Sequence, residues 1–292
     1  MANTVNYATV FERQLRQKYT LGMRTAALTT QKVQFVNANT IKLPYVDMGG
    51  YKDHSRNGGF NRQNVKNQWM TKTLAFDRNV EFFMDSMDVD ETNLVTAAGN
   101  ITNTFIAEHA IPESDAYRIS KLYAEFTSLG GTADATALTP QTILGVFDAW
   151  MQELDDAEVP EEGRILFTTP AVKKMLKTAD GLDRSLNVSS QNGLDRRVYS
   201  LDNITIQTVP SGRMKSQYNF TDGFVPAAGA KQVNMILLHP SAVIACEKHS
   251  YIALWAPGTH TQGDGWLYQN RKYGDLFVID TRVNGIKMNA TA

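Results

Sequence analysis

The side chains best suited to chemistry are a single cysteine, Cys246, with His249 three residues beyond it, and the acidic run Asp88-Val89-Asp90-Glu91. His239-Pro240 reads as the start of a short helix, SAVIACEKH, on which Cys246 and His249 would lie within reach of each other. A thiol nucleophile also needs a group to orient its base and donors for an oxyanion, and the sequence supplies neither. A cysteine filling a core position is the simpler reading. The acidic run looks like the opening of a calcium loop, but the glycine due at the sixth position is missing and Gly99 stands where the twelfth-position acid belongs. Asp88 and Glu91 instead have the spacing of an Asp form of the capping box, which starts a helix. His54, His109, His239, His249 and His260 show no paired ligand spacing, and there is no dinucleotide or phosphate-loop glycine motif. No catalytic residue, metal or cofactor is expected.

With 292 residues the chain can bury a sizeable core as one large domain or two smaller ones. Its net charge of −1 argues against a generic nucleic-acid binder, yet the average conceals strong segmentation. Residues 1–72 carry 11 Lys/Arg and 3 Asp/Glu; residues 73–163 carry 3 and 18; residues 164–292 carry 15 and 9. Such blocks suit copies of one chain that pack basic segment on acidic segment, although solvated faces would give the same pattern. One cysteine excludes an intrachain disulfide framework and a cysteine-rich zinc site. No apolar run approaches the roughly twenty residues of a membrane span. The N-terminal MANTVNYATVFERQLRQKY lacks the apolar core of a signal peptide, so synthesis and assembly in the cytoplasm are expected.

The elements that would position any site follow from periodicity. Residues 1–33 read as an arm whose narrow stripe, Tyr7, Phe11, Leu15 and Tyr19, needs a surface to lie on, either its own domain or a neighbour. Residues 34–75 read as a long β-hairpin: Ile41, Leu43 and Tyr45 alternate with polar residues, as do Trp69, Thr71 and Thr73 on the return. Its tip, GGYKDHSRNGGF, lies between glycine pairs, and Pro44 implies an edge. A ribbon of this kind cannot stand alone and should rest on something else. Residues 76–130 begin as an alternating strand, with Val80, Phe82 and Met84 to one side, and continue as a helical spine of roughly thirty-five residues, against a usual 11–12 or so. Its stripe runs Leu94, Ala98, Ile101, Phe105 and later Ile119, Leu122, Tyr123, Phe126, and Pro112 should kink or interrupt it.

After the small-residue linker LGGTADATALT, residues 131–249 read as a second domain. Thr139-Pro140 should open a helix with the buried stripe Ile143, Phe147, Trp150 and Leu154, whose acid-crowded end opposes the helix dipole. Arg164–Thr168 and Val233–Leu238 are apolar strands, each followed by a Pro-initiated segment, which points to a central sheet flanked by helices. The long polar loops between them are of the kind that carry function. Residues 250–292 are strand-rich and end in Val283-Asn284-Gly285-Ile286, a strong hairpin signal.

The ordered series VEFFMDSMDVDET, the Ala-Gly-Asn-Ile helix and IPESDAYRISKLYA resembles the major capsid protein of tailed bacteriophages with the Hong Kong 97-type fold, nearest to those of phages of Gram-positive hosts. The likeness covers most of the chain in element order and is sharpest over residues 40–126; no single motif carries it. It implies an α+β fold with an N-terminal arm, an extended hairpin loop over the adjacent subunit, a discontinuous peripheral domain (76–130 and 250–292) and an axial domain (131–249). It further implies self-assembly of identical subunits into hexamers and pentamers, and an icosahedral virion head enclosing double-stranded DNA through weak, non-specific contacts. A portal is expected as partner, and a separate scaffolding protein because the arm begins almost at once. Some members of that family cross-link a hairpin Lys to a neighbour's Asn; Lys52 stands at the tip here, with nothing to identify a partner Asn.

The residues expected at contacts between subunits are Phe11 and Leu15 of the arm, Lys52, Arg56, Arg62, Lys66 and Trp69 of the hairpin, and Asp85, Asp88, Asp90 and Glu91 at the start of the spine. Basic hairpin on acidic spine would steer register more than supply affinity. Two other readings stand beside this one. The shell of a bacterial nanocompartment would share the fold, and the basic hairpin, with Trp69 as a stacking ring, could serve nucleic acid.

Overall fold

The computed structural model describes residues 22–29, 35, 37, 39–54, 58, 61–87, 98–179, 188–189, 193–194 and 200–291. In chain order its main elements are β1 (Thr40–Met48), β2 (Val65–Thr73), β3 (Phe76–Asp85), α1 (Ala98–Phe105), α2 (Ile111–Ser128), α3 (Ile143–Asp156), β4 (Ile165–Thr168) and α4 (Pro170–Lys177). They are followed by β5 (Ser200–Leu201), β6 (Ile204–Thr208), β7 (Gln232–Leu238), β8 (Val243–Trp255), β9 (Gly265–Val278) and β10 (Ile286–Thr291).

A five-stranded sheet of order β10-β7-β4-β6-β5 forms the larger body. Its strands are apolar on both faces because both faces are covered. Leu166, Ile204, Ile206, Met235 and Leu237 pack with α3 (Ile143, Phe147, Trp150, Leu154) and α4 (Val172, Leu176). Phe167, Ile236, Leu238 and Met288 pack on the other side with Ile119, Leu122 and Phe126 of α2. The stripe of α3 is therefore buried as its spacing requires. Thr169 caps α4, its side chain accepting from the Val172 amide, with Pro170 in the first turn. The expected cap of α3 lies one turn too early: Thr139 closes a turn, its carbonyl accepting from the amides of Thr142 and Ile143, and the helix begins at Ile143.

A three-stranded antiparallel sheet of order β8-β9-β3 forms the second body. Met84 and Tyr268 are its buried centre, covered by Val80, Phe82, Phe105 and Trp266. The inward alternation of β3 is thus as its sequence implies. The spine crosses from this sheet to the larger one. Pro112 does not break it. Residues Ile106–Ala110 form one π-helical turn in which the Ile111 amide reaches the Ile106 carbonyl, and Pro112 then sits in the first turn of α2. A proline crowds the turn before it and offers no N–H, and the wider turn absorbs both effects. The capping box at Asp88 and Glu91, with Leu94 and Val95, lies outside the described residues.

Two expectations from the sequence are corrected. The segment after Pro240 is not a helix: Pro240–Ala242 is a single 3-10 turn and β8 starts at Val243. Cys246 and His249 accordingly stand on a strand, separated by a register shift at Glu247/His249. Asn284-Gly285 does not form a tight hairpin, because β9 and β10 belong to different sheets and the 3-10 stretch Asp280–Gly285 carries the chain between them. The small sheet takes β8 from Val243, and β10 returns to pair with β7 in the large sheet.

The β1–β2 hairpin pairs Thr40 with Thr73 through to Met48 with Val65 and joins no other sheet. Its root is covered, where Ile41 and Leu74 pack with Ile244, Cys246 and Phe277.

Candidate functional site

The hairpin register decides which side chains act together. Residues facing one another across an antiparallel pair project to the same side, and successive residues alternate. The pairs Val46–Asn67 and Met48–Val65, with Trp69 opposite Pro44, therefore define one face. Val46, Met48, Val65 and Trp69 are all exposed, Trp69 at 58 %. Lys66, opposite Asp47, belongs to the other face, as does Lys72 opposite Ile41. Trp69 and Lys66 were expected to serve one contact, or one strand of nucleic acid, but the pleat sends them to opposite sides. The tip is closed by side chains: Asn61 donates to the Asp53 carbonyl (2.8 Å) and Gln63 to the Gly50 carbonyl (3.0 Å).

Lys52, Arg62 and Lys66 are exposed and, among the described residues, take part in none of the chain's ion pairs. Asp85 is exposed at the end of β3, opposite Gly265, its carboxylate accepting from the Met87 amide (2.9 Å). Phe11, Leu15, Arg56, Asp88, Asp90 and Glu91 lie outside the described residues.

The acidic block is met to a large extent from within the chain. Arg164, with its side chain fully buried, reaches Asp155 (2.6 Å), Arg213 reaches the buried Asp115 (3.1 Å), and Lys287 pairs with Glu153. Arg271 forms a two-point contact with Asp77 (3.0 and 2.6 Å) and holds its carboxyl below the ordinary range. Among the described residues the third, basic segment thus pairs with Asp77, Asp115, Glu153 and Asp155 of the second, and the hairpin contributes one pair, Lys72 with Glu125 (3.4 Å). Two acids that crowd the end of α3, Glu153 and Asp155, owe their placement to these pairs.

Sequence reasoning missed a second exposed apolar surface. Tyr251, Ile252, Leu254 and Trp255 at the far end of β8 are all accessible, and β8 is an edge strand. The consecutive apolar letters YIALW gave the signal, since a strand with one wet face would alternate. Cys246 packs in the root cluster of the hairpin, where burial pushes its thiol above the usual value and keeps it protonated. The loop 210–231 also departs from expectation. It folds back on the spine, with Phe220 against Phe76 and Tyr117 and its carbonyl accepting from Arg78 (2.6 Å).

No family model matches this chain, and no curated protein sequence does. Solved structures match it along nearly its whole length. A structure described as the asymmetric unit of the bacteriophage PhiM1 mature capsid superimposes with a TM-score of 0.72 at 13 % identity, covering 98 % of this chain and 92 % of that one. The capsid of the cyanophage P-SCSP1u gives 0.65 at 11 %, covering 98 % and 93 %. A structure from Mycobacterium phage Che8 gives 0.60 at 14 %, covering 99 % and 98 %. At these identities the likeness is one of fold, and the fold of this chain is that of phage capsid proteins.

Proposed function

We propose that this chain is the major capsid protein of a tailed phage, with the Hong Kong 97-type fold, assembling from identical subunits into hexamers and pentamers of an icosahedral head around double-stranded DNA. The single observation that carries the reading is end-to-end likeness to phage capsid structures, in a chain whose hairpin joins no other sheet among the described residues. A two-stranded ribbon with an exposed apolar face is marginal alone. Identical copies can cover it through head-to-tail contacts that close into rings. The summed contacts should exceed the standard interface of about 1,600 Å². Shell formation calls for no catalysis, and the protonated, buried Cys246 fits a packing role. Assembly in the host cytoplasm, with a separate scaffolding protein and a portal, belongs to the same reading.

Electron microscopy of the expressed chain, alone and with a candidate scaffolding protein, tests it: closed shells support the reading, and a monomer under every condition overturns it. The electrostatic part is tested separately with Arg62→Glu and Lys66→Glu, which should slow assembly by about tenfold at low salt and less at high salt. Because Lys66 and Trp69 face opposite ways, charge reversal should change the rate and Trp69 substitution the strength of assembly.

A further inference from the structure

We propose that one turn of the spine, Asp115 to Arg118, anchors both residues 24–29 and the root of the hairpin, and so fixes the direction in which the hairpin leaves the body. Asp115 is fully buried on α2. Its Oδ1 accepts from the Thr25 amide (3.0 Å), the Thr25 hydroxyl (2.8 Å) and the Arg24 amide (3.1 Å). Its Oδ2 accepts from Arg213 (3.1 Å) and again from the Arg24 amide (3.2 Å). Arg118, three residues on, donates to the Thr25 carbonyl (3.1 Å) and the Thr29 hydroxyl (2.9 Å). Residues 24–29 are thus clasped to the helix just before Thr29 bridges to Ala245 of β8.

The hairpin root is held from the same turn through an intermediary. The Tyr117 hydroxyl donates to Asp275 Oδ1 (2.7 Å), and Asp275 Oδ2 accepts from the amide of Ala75 (2.8 Å), in the short link between β2 and β3. The Tyr117 ring stacks on Phe76 at 3.7 Å. Burial and the neighbouring Asp275 push the Tyr117 phenol far above its ordinary range, so it remains a donor. A buried carboxylate is tolerable only with its donors in place, and the amides of Arg24, Thr25 and Ala75 are among them, beside Arg213 on Asp115 and the Tyr117 hydroxyl and Leu276 amide on Asp275. Lifting either root would take donors from a buried carboxylate. Asp115 and Tyr117 are two residues apart, so residues 24–29 and the hairpin root share one support.

The consequence for assembly rests on the capsid reading; the anchoring itself does not. Hydrogen exchange on the full unassembled chain should show the Ala75 amide exchanging about tenfold faster in Tyr117→Phe, with Gln232–Leu238 unchanged. Asp115→Asn should do the same at Arg24 and Thr25, and Thr25→Val, which removes only the hydroxyl donor, serves if that variant does not fold. Spin labels at Lys66 and Lys174, on a Cys246→Ala background, read direction: one narrow distance in the parent and a broad distribution in Tyr117→Phe. Particle yield should fall alongside. Unchanged exchange, equal distance widths or full yield of normal particles would each overturn the proposal. Should the parent form no particles, the capsid reading fails, and exchange and distances still decide the anchor.

Discussion

The five-stranded sheet and the β1–β2 hairpin both carry large apolar side chains and end in opposite states. Phe147, packed on the sheet, and Leu237, within it, have no exposure at all, whereas Trp69 on the hairpin is more than half exposed. The sheet strands are the more apolar of the two, and they differ also in the layers that cover them. The sheet has a helix layer on each face, so its strands bury both sides. Among the described residues the hairpin has a covered root and no second layer beyond it. The buried core of the single chain therefore lies in the sheet and its helices, and the exposed apolar side chains of the hairpin stand outside it.

The sharpest way to break that contrast is to make the same kind of cut in both places. Phe147→Ala should cost about 3–5 kcal/mol in urea unfolding, because a fully buried ring leaves a cavity. Trp69→Ala should move the unfolding of the isolated chain by no more than about 0.5 kcal/mol. It should weaken assembly by about 2 kcal/mol or more, read as a raised critical concentration, if the ring is a contact anchor. Equal losses of chain stability from the two cuts would erase the distinction.

A smaller effect of opposite sign is expected inside the sheet domain. The end of α3 is closed by a Schellman pair of bonds, Val159 N–H to the Leu154 carbonyl (3.0 Å) and Glu158 N–H to the Asp155 carbonyl (2.9 Å). Glu158 occupies the left-handed position with φ of 56°, where glycine is unstrained. Glu158→Gly should stabilise the chain by roughly 0.5–1 kcal/mol in the same urea experiment, the added freedom of the unfolded chain offsetting part of the relief.

The contrast also explains what could be read from the sequence. The stripe of α3, the Thr169-Pro170 helix start and the two arms of the hairpin all follow from local periodicity and capping. Failures gather where a strand is wet or dry on both sides. Val243 and Ala245 enter one core while Ile244 and Cys246 enter another, so β8 begins as an unbroken apolar run that periodicity cannot tell from a helix. At its far end the same strand is exposed on both faces. Asn284-Gly285 misled because a turn signal is local, whereas the sheet that claims β10 is chosen by Met288 and Ala290 packing in the large core. The exposure of Lys52, Arg62, Lys66 and Trp69 agrees with their composition, and the opposed faces of Lys66 and Trp69 follow from their odd spacing on one strand.

The faintest expected effect tests how much the small sheet depends on an exposed ion pair. Asp77 on β3 and Arg271 on β9 pair diagonally across the two strands at the surface, with the Asp77 side chain 40 % exposed. The guanidinium lowers the folded carboxyl's pKa below its value of 3.8, so the folded state binds this proton less readily than the unfolded state. The contribution to stability is then present in full above the unfolded pKa and disappears as pH falls through the lowered one. Solvent screening keeps it small. Unfolding midpoints of the parent and Asp77→Asn should differ slightly at pH 7 in favour of the parent, and converge below the unfolded carboxyl value as acid is added. A gap that persisted at the lowest pH would show that Asn disturbs the strand pairing itself, and that the second sheet is held by geometry and not by this pair.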